Sequence, residues 1–264
     1  MLLIISFLFG CSQPNIAEKY QTNRPESNEP LLETDLVTGQ YAMELVTTRL
    51  MKNPFPGGDD WQPVQTVSIK LLDFTREGTD LRFVEQTCEV NIDEVFGTQS
   101  SLPSSFIDIT SGRERTGYLE SEHVGAVVTF PKFVDLNGVT MTNPESDVMP
   151  EDTEDQRIYD HDQDGNPGVT VNVDLGAIGG GEIYVAQRTH TYLQGWIVSP
   201  TRIEGNSDFY DEQFLIGASS WFLEVEQESE PDPDPLHNWF IIQHISPDWT
   251  CEDVVREKTD IFKP

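Results

Sequence analysis

Val64-Gln-Thr-Val-Ser-Ile-Lys-Leu-Leu-Asp-Phe74, followed by Thr75-Arg-Glu-Gly-Thr-Asp80 and Leu81-Arg-Phe-Val-Glu-Gln-Thr-Cys-Glu-Val-Asn-Ile92, reads as two strands joined by a turn. A short polar connection containing Gly78, set between two runs rich in β-branched and aromatic residues, is a hairpin signal. Val67, Ile69 and Leu71 alternate with Ser68 and Lys70, the period of two expected of a half-buried strand. Similar runs recur at 39–51, 126–130, 169–175, 182–193, 214–226 and 239–245. Turn-formers punctuate them at Gly57-Gly58, Asn137-Gly138, Gly179-Gly180-Gly181 and Glu204-Gly205-Asn206. Helical periodicity is confined to a turn at 102–107 and a short C-terminal segment at 252–258. About eight to ten strands with turns between them predict an all-β fold, a single antiparallel barrel or sandwich with long acidic loops. The chain shows no internal repeat, and one β-rich domain is expected over residues 37–264.

Composition excludes several functions. The 264 residues carry 46 acidic and 16 basic side chains, a formal net charge of −30. Nucleic-acid binding by phosphate neutralisation needs clustered Lys and Arg and is not expected. No apolar run reaches the roughly 18 residues of a membrane-spanning helix. Much of the charge lies in two regions, 144–165 with nine acids and one Arg, and 204–234. The Gln227-Glu-Ser-Glu-Pro-Asp-Pro-Asp-Pro235 stretch cannot continue a central strand, because Pro donates no ladder hydrogen bond.

Residues 1–10 (MLLIISFLFG) are uncharged and almost wholly apolar, and they end at Cys11. Leu8-Phe9-Gly10-Cys11 resembles the lipobox of bacterial lipoproteins, with an apolar residue at −3, a small one at −1 and the modified Cys at +1. Phe9 is bulkier than the usual Ala or Ser, and the basic n-region is missing. The resemblance implies a signal peptide over 1–10, lipidation of Cys11, and a polar tether over 11–36 with a reach of roughly 25–30 Å. Ser12 after the Cys implies outer-membrane sorting, so the membrane is the expected partner, through the lipid.

Removing a lipidated Cys11 from the three cysteines leaves Cys88 and Cys251, an even remainder that favours a disulfide in an oxidising compartment. Closing so long a loop is worth on the order of 5 kcal/mol in the chain-entropy picture.

One motif carries chemistry. Asp160-His-Asp162-Gln-Asp164-Gly165 matches the first half of a calcium loop, D-x-D-x-D-G. Carboxylates at alternate positions of a curled loop converge on one hard cation, Gly165 permits the sharp turn, and the Asn166 carbonyl would add an oxygen. Position twelve is Val171 rather than Glu, so this is not an EF-hand. Further ligands are expected from Asp155, Asp152, Glu154 or Asp174, or from water. Three acids within five residues repel one another unless a cation neutralises them. The expected cofactor is therefore a structural Ca²⁺, weakly held at roughly 10⁻⁴–10⁻³ M. His161 is expected to point outward between the ligand positions.

Residues 160–171 (DHDQDGNPGVTV), 181–188 (GEIYVAQR), Leu193-Gln-Gly195, Thr38-Gly39-Gln-Tyr41 and the Cys88 strand together are similar to a set of uncharacterised bacterial lipoproteins that combine a lipobox, a D-x-D-x-D-G-x-P-G-V-T loop and a β-rich body. More loosely, the Gly-x-aromatic opening strand followed by hairpins is similar to lipocalin-like barrels. No activity comes with either resemblance.

The familiar catalytic motifs are missing, and with 46 acids a pair of carboxylates at any spacing carries no information. There is no His-Glu-x-x-His, no G-x-S-x-G and no G-x-x-x-x-G-K, and the five His show no ligand spacing. Trp61, Trp196, Trp221, Trp239 and Trp249 are expected in the core. The expectation is a non-enzymatic surface or periplasmic module, binding or structural. The alternatives are a carboxylate-dependent, carbohydrate-active hydrolase and a carrier of a small apolar ligand in a barrel cavity.

Overall fold

The computed structural model describes residues 25–27, 29–32, 35–54, 58–225 and 227–263. The expected signal peptide and lipobox, including Cys11, lie outside the described residues. Among the described residues, eleven strands and two α-helices follow one another in the order β1 (Gly39–Lys52), β2 (Trp61–Glu77), β3 (Asp80–Ile92), β4 (Gln99–Ser101), α1 (Ser104–Ile109), β5 (Arg113–Leu119), β6 (Val127–Asn137), β7 (Val169–Asp174), β8 (Gly180–Ser199), β9 (Arg202–Ala218), β10 (Ser229–Pro231), β11 (Trp239–His244) and α2 (Cys251–Ile261).

Strand pairing closes on itself. β1, β2, β3, β5, β6, β8, β9 and β11 pair successively, and β11 returns to β1, giving an eight-stranded antiparallel barrel in up-and-down order. The short β4 extends β7, β7 pairs with the first third of β8, and β10 covers the end of β1. The predicted all-β class and the opening hairpin are both present, with Glu77 opposite Asp80 across the turn.

One half of the barrel interior is filled. Tyr41, Phe74, Phe83, Phe130 and Phe240 are each at most 1% exposed and pack with Met43, Leu72, Leu193, Ile197 and Ile242. Close packing of large rings needs small residues opposite them. A Cβ on Gly117 would stand 2.4 Å from Phe130, and Gly195 and Gly205 face each other across β8 and β9 with no room for a Cβ on either. The Gly205 turn is thus corrected: the β8–β9 reversal falls at Pro200 and Thr201, and Gly205 lies inside a strand because backbones approach closely there. β9 consequently runs through 202–218 rather than 214–226, and Trp221 to Leu223 form a 3-10 turn.

The alternation in β2 supports two buried faces. Val67, Ile69 and Leu71 point outward beneath α2, which packs Val254, Val255, Ile261 and Phe262 onto them with Ala42 and Ile241. Leu72 and Phe74 point into the barrel, and Lys70 shares their face. Helix α2 begins with a capping box in which Thr250 and Asp253 bond reciprocally, and Cys251 in its first turn is disulfide-bonded to Cys88 on β3. The Cys88–Cys251 pairing is as expected.

The described part of the N-terminal segment already touches the barrel. Leu31 N–H donates to the Glu122 carbonyl at 3.0 Å, Pro30 bridges His123, and Leu36 is 1% exposed in the interior core. The core reading of the tryptophans holds for Trp239, whereas Trp221 is 84% exposed and Trp61 39%.

Candidate cation site in the acidic insertion

Between β6 and β7 the chain leaves the barrel for about thirty residues and lies over the outer face of β8 and β9. Val139, Met149 and Ile158 of this insertion pack on Ala186, Tyr184, Phe214 and Ile216. Arg188 on β8 holds it down: its guanidinium bonds Glu212 on β9 and donates to the carbonyls of Pro144 at 3.0 Å and Asp147 at 2.5 Å.

The insertion returns to the sheet through a pinched loop. Tyr159 and His161 close its neck, with Gly168 N–H donating to the Tyr159 carbonyl at 3.0 Å and His161 N–H to the Gly168 carbonyl at 2.9 Å. Gly165 and Gly168 adopt φ of +96° and +84°, conformations a side chain would strain. Inside the pinch, Asp160, Asp162 and Asp164 each place one carboxylate oxygen within 4.8 Å of the others, and this group could hold a metal ion.

Each carboxylate is positioned by backbone. Asp160 accepts from the N–H groups of Asp164 at 3.2 Å and Gly165 at 3.0 Å. Asp164 accepts from Asn166 N–H at 2.8 Å and from the Thr170 hydroxyl. Asp162 is 6% exposed; its Oδ2 accepts from Thr170 N–H at 3.1 Å, while its buried Oδ1 has no protein partner. An ionised oxygen buried without a donor is costly, and a cation in the loop would remove that cost.

Electrostatics follow the same geometry. Burial pushes the Asp162 carboxyl above the usual Asp value, reinforced by the charges of Asp164 and Asp160 and opposed by the Thr170 N–H. Burial also acts on Asp164, but the Thr170 hydroxyl and Asn166 N–H outweigh it and hold that carboxyl low. His161 does not point outward. It is half-buried, its Nδ1 accepts from Gly138 N–H at 3.2 Å, its ring lies 4.9 Å from Tyr159, and burial holds it below the usual His value.

The other expected ligands are not brought to the cluster. Asp155 is engaged by Arg157, which reaches both its oxygens at 2.7–3.1 Å and holds its carboxyl down to about 2. Asp152 bonds the Glu154 N–H, and Asp174 caps the turn at Gly176 beyond β7. Asn166 stays in the loop through its bond to Asp164.

A second polar constellation escapes the sequence reading. Inside the barrel, beyond the packed aromatic half, Lys70, Glu85, Arg113, Arg115, Asp135, Asn137, Gln187, Asp211 and Arg49 form a belt. Charged residues at alternate strand positions look solvent-facing in sequence. The available signal was that Glu85 stands two residues from Phe83, and Arg115 four from Leu119, on the apolar face.

No protein-family model matches this chain, and no curated protein matches it in sequence.

Proposed function

We propose that the chain is an exported, lipid-anchored bacterial lipoprotein that acts as a binding or structural module, its acidic insertion stiffened by a structural Ca²⁺ at Asp160, Asp162 and Asp164. The observation that carries the metal is the buried, unpartnered Oδ1 of Asp162 between two further carboxylates. Calcium is the ion of choice because the donors are all hard oxygens on a loop, with the Asn166 carbonyl and water completing the six to eight that Ca²⁺ takes. The lipid anchor rests on Leu8-Phe9-Gly10-Cys11 and the outer-membrane address on Ser12. The Cys88–Cys251 disulfide supports an oxidising compartment.

The packed aromatic half of the barrel speaks against a carrier of apolar ligands, because Tyr41, Phe74, Phe83, Phe130 and Phe240 occupy that space. The carboxylates of the belt speak against a hydrolase, because Glu85 and Asp135 are tied to Arg115 and Lys70 or Arg113. Thermal melting with calcium and with chelator tests the metal: a rise with calcium is expected, and equal curves would remove it. Detergent partition of the full chain expressed in bacteria tests the anchor. Wild type should enter the detergent phase and Cys11→Ser should not; wild type wholly in the aqueous phase would overturn it.

A further inference from the structure

We propose that the polar half of the barrel lumen binds a small uncharged polyhydroxylated ligand, a sugar or a polyol. This gives a ligand class to the binding-module reading and is independent of the metal and of the anchor.

Strand register places the belt inside the barrel. Glu85 shares a face with Phe83, Arg115 with Leu119, Lys70 with Leu72, and Arg49 with Met43, all residues of the interior core. Asp135 and Asp211 both pair with Thr189, on the same face of β8 as Leu193. The belt thus draws on seven of the eight barrel strands, leaving out β11.

Its charges are closed among themselves. Lys70 bonds Glu85 at 2.8 Å, and Arg115 reaches Glu85 at 3.2 Å and Asp135 at 2.8 Å. Arg113 meets Asp135 at 3.0 Å and Asn137 at 2.7 Å, and Arg49 pairs with Asp211. Four cations against three anions leave little field for an ion, so an uncharged guest suits the lumen better than an anion or a metal. Two buried atoms nevertheless lack a protein partner: the donor Arg115 Nε, on a side chain 7% exposed, and the acceptor Asp211 Oδ1, on a side chain 4% exposed. A hydroxyl both donates and accepts, so a molecule with several hydroxyls can satisfy both kinds of orphan. Planar carboxylate, amide and guanidinium groups also present paired donors or acceptors to adjacent hydroxyls.

Thr47, Ser68, Gln187 and Thr189 face the lumen yet keep partial exposure, unlike the sealed aromatic half. The Phe133 ring, on the same lumen-facing side of β6 as Asp135, is covered by the Arg115 guanidinium at 3.5 Å.

The test uses the full chain, calcium-loaded, with glucose, galactose, N-acetylglucosamine and myo-inositol as neutral probes and phosphate and glucuronate as charged ones. Two-dimensional ¹⁵N NMR follows the Arg115 Nε–Hε signal and the backbone of β5, β8 and β9. At least one neutral probe should shift these signals saturably. Thr189→Val and Gln187→Leu should each weaken that binding about tenfold, the worth of one hydrogen bond, with circular dichroism confirming that each variant is folded. Binding of charged probes alone would overturn the ligand class. Shifts confined to outward-facing residues, full affinity in both folded variants, or no saturable shift with any probe would overturn the site. None of these failures touches the calcium melting shift or the detergent partition, so the two readings fail separately.

Discussion

Cys88 on β3 and Cys251 in the first turn of α2 are bonded with their Cα atoms 5.1 Å apart and 163 positions apart in sequence. The bond fastens a C-terminal helix to the outside of the barrel where Val67, Ile69 and Leu71 would otherwise meet water. Lys258, one to two turns further along α2, pairs with Glu89 on the same strand β3. The Cys88→Ser, Cys251→Ser double variant should lose on the order of 3–5 kcal/mol. Reversible urea unfolding checks this, and hydrogen exchange should show α2 opening before the barrel strands. A loss below about 1 kcal/mol would mean that apolar packing alone holds the helix.

The start of α2 offers a pH prediction. Asp253 accepts from the Thr250 N–H at 2.9 Å and from Arg256 at 2.7 Å, and these bonds hold its carboxyl down to about 2 from the ordinary 3.8. A carboxyl lowered on folding stabilises fully above its unfolded value and loses that contribution as pH falls through the folded value. Stability should therefore decline between about pH 4 and pH 2, and Asp253→Asn should flatten part of that decline. Melting temperature against pH for both proteins is the measurement; parallel curves would contradict the assignment. Thr250→Ala should cost about 1 kcal/mol at neutral pH.

The elements that sequence made legible are those in which apolar alternation and punctuation agree. β1, β3, β7, β11 and both helices lie within a few residues of their expected places. β5 (Arg-Glu-Arg-Thr-Gly-Tyr-Leu) did not read as a strand, because its lumen-facing positions carry Arg113 and Arg115 instead of apolar residues. β9 was displaced because Gly205 serves interstrand contact, and a glycine used for close approach looks the same in sequence as a glycine used for a turn. At the candidate cation loop, the three alternating Asp were legible because their spacing is local. Asp155 was not, since its real partner is Arg157 two residues on, and proximity to a ligand cluster says nothing about competition from a nearby guanidinium.

The belt should respond sharply to loss of one partner. Arg115→Met removes the group that joins Glu85, 3% exposed, to Asp135, and leaves each carboxylate with one cation, Lys70 and Arg113 respectively. Losing these charge-assisted bonds while one cation remains on each carboxylate should cost about 1.5–3 kcal/mol. The Glu85→Leu, Arg115→Met double-mutant cycle should give a coupling above about 1 kcal/mol, because the two side chains share a contact. Additive effects would show that the two side chains act independently.

Asp162 gives a prediction whose sign depends on calcium. With chelator present, Asp162 is a buried carboxylate beside Asp160 and Asp164, with one oxygen unpartnered. Asp162→Asn keeps an oxygen to accept the Thr170 N–H and removes the charge, so it should stabilise the chelated protein by roughly 1–3 kcal/mol. With calcium at about 10 mM, wild type gains roughly 1.4–2.7 kcal/mol from binding at the weak affinity expected of an extracellular site. The variant forfeits most of that gain, because a neutral amide is a poorer ligand than a carboxylate. Melting curves of the two proteins should therefore cross: the variant melts higher in chelator and loses its advantage, or falls below wild type, as calcium rises. If the difference between them is the same at every calcium concentration, Asp162 is not a ligand.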